Sequence, residues 1–576
     1  MIKPDYVTLT SLFSNRVFRV PAYQRFYSWQ NKQRDDLFSD IKRLAKAPGD
    51  SHHFMATIVC RDTGDNASVG GTDYRVFEVV DGQQRITTLV ILLRALAKQM
   101  DAGEDRREVE TLLVKRDGHL LLLQTNNANQ ELFNTYLREG AVPERSQVKT
   151  HADRNLMEGI VQCEKFVRDW VRERELMDLL RLVKNRHGFV VYDTEDKRSV
   201  YTVFEVLNSR GLEVDWLDKC KSMLMGRAYE TAETDPVRFQ SLQEVEAIWG
   251  NIYNRIAVCP IPGHEVLRVT ATIRCEVEAG KPLSSEVALS KLKSICNMAS
   301  KVIEVSGWLY KTADCLVKLE SQRHLGAVAD VLQARVLAAA LMQAEQLTEA
   351  ERALCLDQWE RVTFRIYGLF RNDARTKVGD YVRLARKIVR QTPGATTFSE
   401  IMPLLRQLGA DCPIEKAVEA GIENKNCYEG YENECRYLLW RYEEYLAQQS
   451  GADVNQALRA EIWEARSASE TIEHIFPQTP ASPGPWDDKL NVGEVVENHV
   501  HRIGNLILLP KVLNSEAQRK AFADKKSAFA KSEGLRTVKE VMEMDDWTQA
   551  KIEARERRII QWAKSAWSDL PQSCQP

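Results

Sequence analysis

The chain contains 576 residues with a formal net charge of −3 at pH 7, and 44% of them are hydrophobic. A chain of this length is typical of about two to four domains, each able to bury its own core. The near-neutral charge excludes a protein that coats DNA through bulk electrostatics, while a local basic surface is compatible with it. No apolar run approaches the roughly 18 residues of a membrane-spanning helix, and no signal-peptide pattern follows Met1. We therefore expect a cytoplasmic protein that makes no membrane contact.

The first 225 residues mix strand and helix patterns. Residues 74–80 alternate in polarity and are rich in β-branched side chains, which predicts a strand. Apolar side chains at 86, 89, 90, 93 and 96 share one helical face, so a helix is expected directly after it. Shorter strands are predicted at 16–20, 54–60 and 187–193. This mixture predicts an α/β module.

The turn between that strand and that helix carries a polar pentad suited to phosphate binding. It consists of Asp81, Gly82, Gln83, Gln84 and Arg85. Glycine lets the backbone approach a phosphate, a helix N-terminus offers unpaired N–H groups, and arginine adds a charged fork. In the simpler interpretation, Asp81 only caps the helix and Arg85 lies on the surface. The chain lacks a Gly-x-x-x-x-Gly-Lys-Ser/Thr pattern, so a nucleotide site here is not of the P-loop kind.

Two further segments of the module carry polar groups at breaks in the secondary structure. A proline-led extended stretch presents Tyr23, Gln24 and Arg25 in succession. Asn208 and Arg210 stand beside a glycine that interrupts a helical pattern, which by itself indicates a helix C-terminus. Taken singly, neither segment indicates a function.

The remainder of the chain divides into a helical region and a mixed one. Residues 226–450 give almost only helical patterns, without a repeat or a chemical motif. A helical spacer or a DNA-clamping body is therefore the default interpretation of that region. In residues 451–576, the patterns predict a long loop at 477–498, a strand at 502–509 and a helix at 514–529.

This last region contains residues in the order that a single-metal nuclease of the HNH type needs. Glu473 and His474 precede a proline turn, and Asn505, Asn514 and Lys525 follow downstream. In this interpretation His474 is the general base that activates water, and Asn505 keeps its ring oriented. Glu473 and Asn514 hold a Mg²⁺ or Mn²⁺ ion, since oxygen ligands favour these metals over zinc.

Some roles here stay open between chemistry and structure. Asn514 stands where a second histidine is common, and it also precedes a capping-box pattern that could start a helix. A continuous helix would place Lys525 about 16 Å from Asn514 along its axis, too far to share a metal. Lys525 then either binds a neighbouring phosphate or makes a structural ion pair. His499 and His501 either orient the site or lie on the surface.

Taken together, these motifs resemble the GmrSD family of modification-dependent, type IV restriction systems. The resemblance rests on residues 21–29, 81–85, 204–211, 473–478, 504–506, 514 and 522–525. It implies a multidomain, mostly helical α+β protein. In such a protein, 1–225 is a ParB/sulfiredoxin-like nucleotide-binding and DNA-sensing module, 226–450 a helical middle, and 451–576 an HNH-like ββα-metal nuclease.

The same resemblance implies the cofactors and the function. A nucleoside triphosphate, GTP or another, would be bound by the N-terminal module through Asp81, Gly82, Gln83, Gln84, Arg85, Tyr23, Gln24, Arg25, Asn208 and Arg210. Tyr23, Gln24 and Arg25 line either that site or a DNA-sensing pocket. The implied activity is NTP-regulated, metal-dependent cleavage of double-stranded phage DNA with modified bases or backbone, and a homo-oligomer stays open. The alternatives are an RNase or toxin-like nuclease, and a nucleotide-switched DNA clamp with a vestigial nuclease.

Overall fold

In a computed structural model of the chain, the described residues are 5–48, 53–69, 71–115, 120–125, 129–194, 215–276, 280–322, 328, 331–463, 465, 467–481, 484–486 and 491–571. Within these ranges the protein is mostly helical, with a six-stranded sheet near the N-terminus and two small two-stranded sheets. The predicted α+β class is confirmed at this level. No helix in the described part of the chain is long and apolar enough to cross a membrane.

The strands are β1 (Asp5–Thr8), β2 (Arg16–Val20), β3 (His53–Val69), β4 (Thr72–Asp81), β5 (Val114–Lys115), β6 (Leu120–Leu121), β7 (Leu123–Thr125), β8 (His187–Thr194), β9 (Ile472–His474) and β10 (Leu506–Leu508). The helices of the N-terminal half are α1 (Leu9–Phe13), α2 (Asn31–Leu44), α3 (Gln83–Gln99), α4 (Glu104–Leu113), α5 (Gln130–Glu139), α6 (His151–Val171), α7 (Leu176–Arg181), α8 (Trp216–Glu230), α9 (Asp235–Ile256), α10 (Gly263–Arg274) and α11 (Ser285–Ile295). The later helices are α12 (Ala299–Ser321), α13 (Leu332–Met342), α14 (Glu349–Thr363), α15 (Val378–Val389), α16 (Phe398–Leu408), α17 (Ile414–Gly421), α18 (Glu432–Gln449), α19 (Gln456–Trp463), α20 (Val492–Asn498), α21 (Lys511–Ala517), α22 (Phe522–Phe529), α23 (Arg536–Met542) and α24 (Gln549–Ala566).

The six-stranded sheet positions the polar pentad. Its order is β1-β8-β3-β4-β2-β7, with β2 and β8 parallel to their neighbours β4 and β3, and with β3 and β4 antiparallel. Because β4 ends at Asp81 and α3 begins at Gln83, Gly82 alone separates sheet from helix. Gly82 has a φ of 92°, and a Cβ there would lie 3.1 Å from Ile58 Cγ1, so the turn needs glycine. The predicted strand, turn and helix are confirmed.

Helix α3 is more deeply buried than its sequence pattern predicts. The pattern indicates one apolar face, yet nearly every side chain from Gln83 to Ala97 is buried. Helices α4, α5, α6 and α7 all pack against it, and its apolar side chains belong to the core of the N-terminal region. Because α3 is packed on all sides, its first residues, which belong to the pentad, are held firmly in place.

The described residues form two compact units. The first comprises 1–271 with 283–317, and the second comprises 272–282 with 318–576. Between 226 and 450, where the sequence predicts helices, the regular elements of the described residues are helical. The three predicted domain ranges stay a prediction.

The C-terminal region departs from prediction at three places. Part of the predicted 477–498 loop is helix α20, and the predicted 502–509 strand shrinks to β10 after a turn of 3₁₀ helix at Ile503–Asn505. The predicted 514–529 helix is two helices, α21 and α22. Gln518 causes the break because its φ of 41° ends α21. The expected separation of Asn514 and Lys525 along a single helix is therefore wrong.

Candidate functional sites

Two glutamines tie the proline-led segment 21–29 to the sheet edge. Gln24 Nε2 donates to the Val80 carbonyl over 2.8 Å. Gln84 Nε2 donates to the Phe26 carbonyl over 2.9 Å, and Gln84 Oε1 accepts the Ser28 N–H over 2.8 Å. Both ends of the Gln84 amide are therefore used by the backbone, and the start of α3 and the extended segment form one rigid corner.

Gln83 lies at the same corner with half of its amide unsatisfied. Its Nε2 donates to the Arg25 carbonyl over 3.2 Å. Its Oε1 is buried without a hydrogen-bond partner among the described residues, as is Thr125 Oγ1. Both residues line a small cavity of about 20 Å³, which is room for one water molecule.

Arg25 belongs to a buried cluster of charged and polar groups. Its Nε lies 3.2 Å from Asp218 Oδ2. Lys221 Nζ donates to Gln24 Oε1 over 2.7 Å and lies 3.8 Å from Asp218, and the Tyr253 hydroxyl donates to Asp218. Burial, opposed by Asp218, lowers the pKa of Lys221 to about 8. Asp218 is therefore the anion that Arg25 and Tyr253 contact from two other elements, with the Lys221 ammonium nearby on its own helix.

Sequence reasoning missed the half of this cluster that α8 supplies. Asp215 caps α8 by accepting the Leu217 N–H over 2.8 Å, and Asp218 and Lys221 follow at spacings of three. Charged residues on successive turns of a helix that is otherwise buried are a detectable signal. Asn208 and Arg210, which precede this helix, lie outside the described residues.

The charged residues at the two ends of the pentad, Asp81 and Arg85, influence each other's pKa. Burial raises the pKa of Asp81, and the Gly82 N–H and Arg85 oppose that rise. Burial lowers the pKa of Arg85, with Asp81 opposing. Asp218 and Arg25 also affect the pKa of Asp81, so the pentad shares the electrostatic environment of that cluster.

An open cleft of about 900 Å³ adjoins the cluster within the first unit. Its lining includes Arg25, Trp29, Asp215, Trp216 and Lys219. Indole rings suit a base, and guanidinium and ammonium groups suit phosphates. The residues present therefore fit a nucleotide, with Arg25 contributing directly and the glutamines acting as supports.

In the C-terminal region, Glu473 is paired with a lysine inside the protein. Lys525 Nζ donates to Glu473 Oε1 over 2.5 Å and to the His474 carbonyl over 2.7 Å. The side chain of Lys525 is 0% exposed and that of Glu473 is 5% exposed. Burial raises the pKa of Glu473 to about 7, and Lys525 opposes that rise. Lys525 can approach Glu473 because α22 is a separate helix from α21.

Asn505 braces the backbone that follows His474. Its Oδ1 accepts from the Phe476 N–H over 2.8 Å and from Trp547 Nε1 over 3.0 Å. Its Nδ2 donates to the carbonyls of Phe476 and Val500, each over 2.9 Å. These four bonds use its amide without reaching the imidazole, so Asn505 fixes where the end of β9 lies rather than the ring itself.

The imidazole of His474 is enclosed by other side chains. Its Nε2 lies 3.2 Å from His501 Nδ1 and its Nδ1 lies 3.1 Å from Gln478 Nε2. The ring of Tyr428 meets it edge-on at 4.6 Å between centroids. Burial, with His501 and Lys525 nearby, lowers the pKa of His474 well below its usual value. Burial therefore favours the uncharged imidazole, which is the form that can accept a proton.

The residues predicted to hold a metal do not form a metal centre in this arrangement. Asn514 Nδ2 donates to the carbonyls of Glu470 and Ile472 over 2.9 and 3.3 Å. The ammonium of Lys525 lies where a cation at Glu473 would sit. No group of three or more His, Cys, Asp or Glu side chains in the described ranges could hold a metal ion. The donors as placed do not fit a divalent ion.

The fold and sites define a two-unit α+β protein with a polar cleft in its first unit and an enclosed histidine at the end of a short strand in a two-stranded C-terminal sheet. The family model for the N-terminal domain of the GmrSD restriction endonuclease matches residues 9–225, and that for the C-terminal domain of GmrSD restriction endonucleases matches 413–562. Together they span more than half of the sequence, and the chain belongs to the GmrSD restriction endonuclease family. A search of curated proteins gives no match. The second match begins upstream of Tyr428, so this tyrosine lies within the same family domain as His474.

Proposed function

We propose that the protein is an NTP-regulated endonuclease that restricts double-stranded phage DNA carrying modified bases or a modified backbone. Membership of a restriction endonuclease family supports cleavage of DNA. The observation that carries the proposal is the enclosed imidazole of His474 at the end of β9, held between His501 and Gln478. A buried imidazole that is held by hydrogen bonds is the arrangement that a general base needs.

The residues around His474 prepare it for that role. Asn505 fixes the chain at Phe476, and Lys525 fixes it at the His474 carbonyl, so the base sits between two anchored points. His474 takes the proton from an attacking water molecule. Because its side chain is 0% exposed, Lys525 positions β9 rather than meeting a phosphate.

In the N-terminal unit, the nucleotide occupies the cleft beside Arg25. Arg25 and Lys219 meet its phosphates, and Trp29 or Trp216 meets its base. The Arg25–Asp218 pair connects the nucleotide to α8, so a change in phosphate charge alters the balance of this buried cluster. This change in the Arg25–Asp218 cluster is the first step by which the nucleotide regulates cleavage.

Cleavage assays with a matched histidine control test the proposal. Unmodified plasmid and DNA from a heavily modified phage are incubated with the wild type, His474→Ala or His499→Ala, with Mg²⁺, Mn²⁺ or EDTA, with and without GTP. His499 is the control because it is also a buried histidine paired with a carboxylate, at 3.1 Å from Glu553. We expect His474→Ala to lose at least about 100-fold in rate and His499→Ala to keep its activity.

The other outcomes separate the parts of the proposal. Equal cleavage of both DNAs would contradict the recognition of modified DNA, and loss of cleavage in EDTA would show that a divalent ion binds through a different set of ligands. Preferential cleavage of RNA favours the RNase alternative. Nucleotide-dependent DNA retention without cleavage favours the clamp.

A further inference from the structure

The two ring nitrogens of His474 are held by partners that differ in solvent exposure. At Nδ1 the partner is Gln478, whose side chain is exposed. At Nε2 the partner is His501, whose side chain is only 16% exposed. A base needs one free nitrogen for water and one held nitrogen for orientation. The exposed amide is the partner that can leave.

His501 is itself fixed from three sides by one short segment of the chain. The N–H and thiol of Cys427 both donate to the His501 carbonyl, over 3.1 and 3.0 Å. The Tyr428 ring stacks on the His501 ring at 5.6 Å with an interplanar angle of 4°. Glu429 Oε1 lies 3.4 Å from His501 Nε2. Residues 427–429 thus hold both the backbone and the ring of His501.

With the Gln478 amide nitrogen facing His474, one arrangement of protons satisfies all of these contacts. The Gln478 amide donates to Nδ1 of His474, so the ring proton of His474 is on Nε2 and points to Nδ1 of His501. The ring proton of His501 is then on Nε2 and points to the Glu429 carboxylate. In this series of hydrogen bonds from Gln478 to Glu429, every donor faces an acceptor.

We propose that His501, held by Tyr428 and Glu429, is the positioning residue of His474, and that Gln478 is a replaceable cap over the nitrogen that accepts the proton from water. This inference rests on the proposed nuclease function. It assigns a role to His501 that neither the HNH-type pattern nor the Asn505 contacts supply.

The chemical step follows from this geometry. When DNA binds, an attacking water replaces the Gln478 amide at Nδ1. Its proton passes to Nδ1, its oxygen forms the new bond to phosphorus, and the bond from phosphorus to the leaving oxygen breaks. The leaving oxygen takes a proton from solvent. His474 becomes an imidazolium whose Nε2–H still donates to His501, and Glu429 offsets the positive charge through His501.

Three substitutions at His501 separate a hydrogen-bonding role from a packing role. His501→Asn places an amide oxygen where Nδ1 stands and so keeps an acceptor for His474. His501→Gln places its amide nearer the position of Nε2, towards Glu429. His501→Phe keeps the ring stacked on Tyr428 without any acceptor. Gln478→Ala removes the cap.

Single-turnover and steady-state cleavage of the same DNA measure kcat and KM for each full-length variant. We expect His501→Phe and His501→Gln to lose about 10–100-fold in kcat with little change in KM. His501→Asn should retain kcat within about threefold, because the acceptor is restored. Gln478→Ala should cleave at least as fast as the wild type, since its amide must leave in any case.

The matched control is His499→Phe, which disturbs a buried imidazole–carboxylate pair that does not touch His474. Circular dichroism and thermal unfolding compare the folded state of all variants. If His501→Phe cleaves like the wild type, or if His501→Asn is as slow as His501→Phe, the positioning role is overturned. If Gln478→Ala is as slow as His501→Phe, the assignment of Nδ1 is overturned. A wild type that cleaves no nucleic acid overturns the proposed function itself, whereas an active wild type with unaffected His501 variants overturns the positioning role alone.

Discussion

At the scale of single residues, several groups that the sequence marks for chemistry are tied into the structure. Lys525 neutralises Glu473 and anchors the His474 carbonyl, and Asn505 anchors Phe476. A polar group inside a protein is costly unless it is paired, so the site is built from polar groups that satisfy one another. Of the two side chains that contact the ring nitrogens of His474, Gln478 is the exposed one.

The Lys525–Glu473 pair gives a stability prediction. Lys525→Met leaves a buried carboxylate without its partner, and we expect it to cost about 3–5 kcal/mol of unfolding free energy. The double variant Lys525→Met with Glu473→Leu should recover most of that loss, because neither charge then remains. Denaturant unfolding of the full chain measures both.

The control for this pair is Lys520→Met on the exposed turn between α21 and α22. It should change the unfolding free energy by less than about 0.5 kcal/mol. A loss below about 1 kcal/mol in Lys525→Met would show that the ion pair does not hold the two elements together.

At the scale of elements, the strand–glycine–helix turn and the 21–29 segment act as one corner. Gly82 allows α3 to start directly after β4, and Gln84 joins that start to Phe26 and Ser28. The corner in turn holds Arg25 towards Asp218 on α8. Burial on all sides of α3 makes this support rigid.

Gln84→Glu tests the corner with an isosteric change. At neutral pH a carboxylate accepts the Ser28 N–H but cannot donate to the Phe26 carbonyl, and it is buried where Gln84 is 7% exposed. We expect a loss of about 1–3 kcal/mol in the local opening free energy of α3, measured by amide hydrogen exchange. Gln99→Glu, at an exposed position of the same helix, is the control. An equal effect of both substitutions would contradict the role of Gln84 in holding the corner together.

At the scale of the whole molecule, the chain contains two chemically distinct sites in two compact units. The charged cleft belongs to the first unit, and the histidine site belongs to the second. The family match covers both regions. In the proposed function, the nucleotide therefore binds in one unit and cleavage takes place in the other.

Arg25→Met tests that division. It removes the cation beside Asp218, and we expect nucleotide binding to weaken at least about tenfold, the loss of a charge-assisted contact. The dependence of cleavage on nucleotide should disappear, while cleavage still requires His474. Binding of a fluorescent nucleotide and the cleavage assay measure the two effects, with exposed Arg172→Met as control. Loss of His474-dependent chemistry at saturating DNA would contradict separate sites.

The sequence by itself determined the elements whose signals are local. The alternating strand at 74–80, the glycine turn and the helix after it were predictable, because side-chain periodicity and φ preference act over a few residues. So was the helical character of residues 226–450.

Only the tertiary structure decided which side chains meet. Lys525 reaches Glu473 because Gln518 breaks the predicted helix, and His501 reaches His474 because 427–429 holds it from a distant part of the chain. Asp218 contacts Arg25 from a distant part of the chain. The hydrogen bond between Lys221 and Gln24 beside it spans 197 residues of sequence. Such pairings depend on packing between remote segments, which no local pattern of residues encodes.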